Sequence, residues 1–187
     1  WYSSGFQGYS SIREGSIYSM NIVAVRCLME TVTPQLGVEY AQNFGITTLT
    51  DTDYNPATAL GGLTKGVTNL ELTAAYASIA NGGVYTKPIF FTKILDRNGK
   101  ELITMEPETH RVLKDSTAFL LTDAMAESMI SNRKFSRSGS GPSSTSTRAK
   151  LPNMSCAGKS GTTTSNNDIW FVGFTPYYTA GVWGGCD

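Results

Sequence analysis

The order of sequence patterns predicts an α+β fold in which helices cover an antiparallel sheet. Three observations carry this. Capped, apolar stretches with helical spacing fill much of the first 80 residues. Asn98-Gly99, between two extended runs, marks a tight hairpin. Near the end, Asp168-Ile169-Trp170-Phe171-Val172-Gly173-Phe174 and Thr179-Ala180-Gly181-Val182-Trp183 are β-branched and aromatic, with Thr175-Pro176 between them. They read as neighbouring antiparallel strands.

In chain order, Ser11-Ile12-Arg13-Glu14 matches a capping box and opens a short helix, expected to break at Gly15 to Met20. Asn21 precedes Ile22-Val23-Ala24-Val25-Arg26-Cys27-Leu28-Met29, a run long enough for a buried helix, which Asn21 could cap. Cys27 is expected there as a small buried hydrophobe. Thr33-Pro34 starts a third helix, since proline's fixed φ suits the first position. Leu36, Tyr40, Ala41 and Phe44 would line its inner face, and Gly45 would stop it. Residues 47–67, rich in Asp, Asn, Pro and Gly, read as a loop.

Asn69 can cap the next helix, with Leu72, Tyr76, Ile79 and Ala80 as its core stripe and Asn81-Gly82-Gly83 as its end. From Val84 to Leu95 the chain reads as extended, with Pro88 restricting it to an edge or bend. Phe91–Asp96 and Lys100–Thr104 form the predicted hairpin. Asp115 caps a helix carrying Phe119, Leu120, Ala124, Met125, Ser128 and Met129. Ser136 to Arg148 is almost wholly Ser, Thr, Gly and Arg, too polar to bury a core. Residues 136–150 are therefore expected as a mobile surface loop, and their place before the next strand could make them a rim for a site there.

Composition narrows the function. Of 187 residues, 40% are hydrophobic and 16% charged, so the chain is globular. Fifteen basic and fifteen acidic residues cancel, which argues against a nucleic-acid partner. Three cysteines without ligand spacing imply neither a disulfide framework nor a metal site. His110 is the single histidine, so a Ser-His-Asp triad or a His-based metal centre is not expected, and His110 itself reads as a surface residue in a polar turn.

The chemistry concentrates at Cys156-Ala157-Gly158-Lys159-Ser160-Gly161-Thr162-Thr163-Thr164. A lysine on a glycine-flanked strand can grip an anionic, extended ligand, because another backbone can approach closely. Gly158-Lys159-Ser160 also matches the tail of a phosphate-binding loop, but Asn153 stands where that pattern needs glycine, and the hydroxyl-rich residues that follow are poor helix formers. A strand that merely carries a lysine is the plainest alternative.

Ser19-Met20-Asn21 at the head of an apolar helix, with Lys159-Ser160-Gly161-Thr162 on a strand, resembles the second and third motifs of the penicillin-recognising serine enzymes. The Leu72–Gly83 block with Lys87-Pro88 is similar to penicillin-binding proteins. Asp168–Pro176 with Ala180–Trp183 resembles the transpeptidase domain of their class A, bifunctional members. The resemblance covers nearly the whole chain except the Ser-rich loop. It implies a β-lactamase-like transpeptidase fold, incomplete here, with residues 1–187 as the C-terminal portion of the domain.

Two departures stand out. The strand motif usually reads Lys-Thr-Gly; Ser160 keeps the hydroxyl and loses a methyl. The first motif, Ser-x-x-Lys, should precede Ser19 and does not. Ser131-Asn132-Arg133-Lys134 matches it, but in the wrong order and at the end of a helix, and reads as a decoy. The resemblance then implies a nucleophile on another segment, expected as a second chain.

It further implies a peptidoglycan D,D-transpeptidase that forms an acyl-serine intermediate, is inhibited by β-lactams and needs no cofactor. Ser19, Asn21 and Lys159 would be catalytic. Ser160, Gly161, Thr162 and Thr164 would bind substrate. Stem peptides and β-lactams would be its ligands, and the extracytoplasmic face of the bacterial membrane its location, held by an anchor outside this chain. A β-lactam sensor, a D,D-carboxypeptidase or β-lactamase of the same fold, and a nucleotide-binding protein remain as alternatives.

Overall fold

The computed structural model describes residues 8–130 and 143–186. The Ser131–Lys134 match and residues 136–142 of the Ser-rich segment lie outside them. Helix α1, Ile12–Ile17, starts from the expected capping box: the Ser11 hydroxyl accepts from the Glu14 N–H, and the Glu14 carboxylate accepts from the Ser11 N–H. The interruption expected across Gly15 to Met20 falls in the later part of that span, after the helix ends at Ile17. Gly15 stays helical, and its missing side chain is filled by Val23, whose Cγ1 would lie 2.5 Å from a Cβ there. The chain turns at Ser19, with φ 53°.

Helix α2, Asn21–Arg26, runs into a π-helical turn, Cys27–Val32, closed by the Thr33 N–H on the Leu28 carbonyl. The expectation of a buried helix fails: none of these residues is fully buried, and Cys27 is only half-buried, because this apolar run borders a cavity. Helix α3, Pro34–Asn43, has proline at its start and ends before Gly45, with φ 87°. Val38 is its buried residue, while Leu36 and Tyr40 of the expected inner face are exposed.

Helix α4, Asn69–Ala80, is capped by Thr68, not Asn69. Thr68 and Glu71 form the reciprocal box, and the Asn69 amide donates to the Gly181 carbonyl instead. Its buried residues are Ala74, Ala75, Ser78 and Ile79; Ala80 faces solvent. Strand β1, Val84–Thr86, pairs antiparallel with β4, Thr109–Arg111, and β2, Lys93–Leu95, with β3, Glu101–Thr104, around the Asn98-Gly99 turn. His110 therefore sits in a strand rather than a polar turn, tilted against the Tyr85 ring and bonded through Nε2 to the Asn43 carbonyl. Helix α5, Asp115–Ile130, buries Ala118, Ala124, Met125, Ser128 and Met129, while Phe119 and Leu120 point outward.

Strands β5, Ala157–Thr162, β6, Asp168–Phe174, and β7, Thr179–Gly185, form the main antiparallel sheet, with β5 at one edge. Helices α4 and α5 pack on it. Ile79, Met125, Ala157 and Phe174 make the core, joined by Phe44, Tyr76, Leu113 and Leu121. Close approach of α4 depends on Gly181, where a Cβ would fall 2.0 Å from Thr73 Oγ1. The α+β class, with helices over an antiparallel sheet, is as the sequence predicts, and among the described residues no helix is long and apolar enough to cross a membrane.

Candidate active site

Lys159 lies on the edge strand β5, part-buried. Its Nζ donates to Ser19 Oγ at 2.8 Å and to the Ser160 carbonyl at 2.9 Å. Burial pushes the ammonium below the usual lysine pKa, because removing a cation from water disfavours the charged form. Among the described residues no carboxylate makes an ion pair with it. The charge is left to attract an anion from outside.

Ser19 reaches Lys159 because of the corner between α1 and α2. A left-handed backbone is uncommon for a serine, and strained residues of this kind concentrate at functional sites. Asn21 follows as the first residue of α2. Met20 holds the cap position without a side-chain bond, so the capping explanation for Asn21 does not hold.

Ser19, Asn21, Lys159, Ser160, Gly161 and Thr162 line one cavity of about 640 Å³. Its inner wall is apolar, with Val23, Leu28, Leu60, Ile79, Leu121 and Met125. Tyr76 is also there, its hydroxyl pushed up to about 12 by burial. Thr164 is not part of this wall. It begins a 3-10 turn, Thr164–Asn166, just past β5.

The two glycines beside Lys159 differ. A Cβ on Gly158 would meet Phe171 Cζ at 2.7 Å and the Val172 carbonyl at 2.9 Å, so internal packing demands a glycine there. On Gly161 it would meet only Trp170 Cβ, at an ordinary 3.6 Å. Nothing within the described structure requires glycine at 161, a position that lines the cavity.

Two supports are harder to see in the sequence. Asp53 is wholly buried within the 47–67 loop. Its carboxylate accepts the Thr64 N–H and Thr50 N–H, both at 2.7 Å, and the hydroxyls of the same two threonines. Those backbone donors hold its pKa down at about 2. The pinned loop carries Ala59 and Leu60 to the cavity. The described part of the Ser-rich segment, residues 143–148, is likewise not the loose surface connection expected: Ser144 and Ser146 are buried, and Thr145 Oγ1 lies 2.5 Å from Ser160 Oγ.

A lysine of lowered basicity touching a hydroxyl, a neighbouring amide, and a hydroxyl-lined strand edge thus come together in one cavity. The fold is that of the penicillin-binding protein transpeptidase domains. The model of the penicillin-binding protein transpeptidase domain matches residues 1–183. Penicillin-binding protein 1A of Clostridium botulinum (strain Langeland) is 36% identical over 183 residues, which cover 97% of this chain and 21% of that relative. The crystal structure of penicillin-binding protein 1A from Haemophilus influenzae superposes with a TM-score of 0.77 at 26% identity, over 94% of this chain and 30% of that one. Penicillin-binding protein A from M. tuberculosis, as its imipenem acyl-enzyme complex, shares the fold with a TM-score of 0.77 at 20% identity, over 97% of this chain and 43% of that one. This chain belongs to the transpeptidase-domain family of class A penicillin-binding proteins. It spans about a fifth of the length of the curated relatives it matches.

Proposed function

We propose that this chain supplies the substrate-binding and proton-relay half of a peptidoglycan D,D-transpeptidase whose nucleophilic serine lies on another segment. The observation that carries the reading is the Lys159–Ser19 hydrogen bond, made beside Asn21 in one cavity. The serine Oγ attacks the carbonyl of a D-Ala-D-Ala bond. The C–N bond breaks; the nucleophile's proton passes to the lysine of its own Ser-x-x-Lys, which re-protonates Ser19 as Ser19 gives its proton to the departing amine, and an acyl-serine remains. The amine of a second stem peptide then takes the acyl group. A β-lactam would follow the first half of this course and stall as the acyl-enzyme.

Asn21 hydrogen-bonds the substrate amide. Lys159 attracts the terminal carboxylate, and the Ser160 and Thr162 hydroxyls bind it, with Thr164 as an outer contact. The Thr162 N–H is one oxyanion donor; loss of such a donor costs on the order of a hundredfold in rate. The apolar inner wall suits the apolar face of a helix that begins with Ser-x-x-Lys, arriving as a second chain. The reaction belongs at the extracytoplasmic face of the membrane, where peptidoglycan is exposed.

Fluorescent penicillin tests the reading. The isolated chain is expected to stay unlabelled, and addition of a polypeptide carrying Ser-x-x-Lys to produce labelling on that polypeptide. A covalent adduct on Ser131 of the isolated chain would refute it. Turnover of a D-Ala-D-Ala thioester by the labelled assembly distinguishes a transpeptidase from a sensor that only binds.

A further inference from the structure

We propose that Thr145 is a positioning residue that fixes the Ser160 hydroxyl proton toward a ligand carboxylate, through the hydroxyl–hydroxyl contact at the rim of the cavity. The inference rests on the transpeptidase reading above and adds a specificity determinant to it.

A serine hydroxyl has one proton to donate and two lone pairs to accept with. Thr145 Oγ1 lies 2.5 Å from Ser160 Oγ, and either could donate to the other. If Ser160 donates to Thr145, it can only accept at the cavity, which repels a carboxylate. If Thr145 donates, the Ser160 proton is released into the cavity, where an anion would take it. A bound carboxylate therefore selects the second arrangement. The resulting chain, Thr145 O–H to Ser160 O–H to carboxylate, polarises the last donor, and hydrogen bonds to charged groups are the stronger kind.

The surroundings of Thr145 are built to hold one hydroxyl in place. Thr145 is exposed, but its neighbours Ser144 and Ser146 are 8% and 2% exposed. Ser144 Oγ donates to the Ser128 carbonyl on α5, and the Ser146 N–H donates to Ser144 Oγ at 3.4 Å. Ser128 Oγ lies within donating distance of the Met125 carbonyl, at 2.7 Å, and of the Gly158 carbonyl on β5, at 3.2 Å. The strap is thus tied to α5, and α5 to β5, two residues before Ser160. Lys159 Nζ holds the Ser160 carbonyl from the other side. A passive polar connection would not bury alternate serines against a helix end.

The test uses the polypeptide in which this chain and the nucleophile occur together. Second-order acylation rates are measured with benzylpenicillin, which has a free carboxylate, and with its neutral methyl ester. Thr145→Val keeps the β-branched shape and removes the hydroxyl. It is expected to slow benzylpenicillin by about tenfold while leaving the ester rate within about twofold, and Thr145→Ser to restore the carboxylate preference. Equal slowing of both compounds means a merely structural strap and overturns the proposal, as does no change with either. A wild-type protein that neither compound acylates overturns the transpeptidase reading itself, an outcome distinct from loss of carboxylate preference alone.

Discussion

Lys159 and Ser19, 140 residues apart in sequence, meet through a 2.8 Å hydrogen bond between a strand lysine and a serine in a left-handed corner. The pair joins the sheet to the first helices at the mouth of the cavity. Burial holds the Lys159 pKa below that of the unfolded chain, about 10.4.

That shift has a sign. Between the folded and the unfolded pKa the unfolded chain binds more protons, so stability rises with pH through that window. Lys159→Met should remove this slope, raise stability at neutral pH by about 0.5–2 kcal/mol as active-site charges often allow, and abolish penicillin acylation of the assembled protein. Urea unfolding across pH and fluorescent-penicillin labelling measure the two effects. An unchanged slope, or retained labelling, contradicts the assignment.

Asp53 titrates the other way. Its folded pKa of about 2 lies below the ordinary carboxylate value of about 3.9. Its contribution is complete above the unfolded value and disappears as pH falls through the folded one. Asp53→Asn should lower the thermal midpoint at neutral pH, because one amide cannot accept all the donors from Thr50 and Thr64. It should also flatten the acid limb between about pH 4 and 2. An acid limb identical to that of the unsubstituted chain would contradict the pinned-loop account.

Thr68 and Glu71 cap α4, and Glu71 also accepts the Thr47 N–H, tying the start of the 47–67 loop to the helix. Thr68→Ala should cost about 1 kcal/mol in denaturant unfolding, the usual value for an N-cap hydroxyl. Asn69→Ala keeps the cap and should cost less, through the lost bond to the Gly181 carbonyl.

Much of this was legible in the residues. Capping boxes, Asn98-Gly99 and the aromatic runs of β6 and β7 are local signals, and they mark the elements that form. Ser19, Asn21 and Lys159 come together as their motif order implies. Apolar spacing misleads in α3 and α5: Leu36, Tyr40, Phe119 and Leu120 follow the stripe yet stay exposed. The β1–β4 pairing is invisible because its strands are only three residues long and lie far apart in sequence, Thr86 pairing with Thr109 and Val84 with Arg111, across a separate hairpin. Asp53 and Ser144 escape notice because each sits in a stretch of hydroxyl residues, and hydropathy does not distinguish a polar group that will be buried with partners from one left in water.

The glycines flanking Lys159 separate packing from binding. Gly158 is closed in by Phe171 and the Val172 carbonyl, whereas Gly161 has room for a methyl group. Gly158→Ala should therefore destabilise the fold by about 1–3 kcal/mol, the range for overpacking a filled site. Gly161→Ala should leave the thermal midpoint nearly unchanged and still slow acylation of the assembled protein by penicillin, since a methyl on the edge strand stands where a ligand backbone would lie. Thermal unfolding paired with labelling kinetics reads both. If Gly161→Ala unfolds the chain as readily as Gly158→Ala, the glycine at 161 serves the sheet and not the ligand.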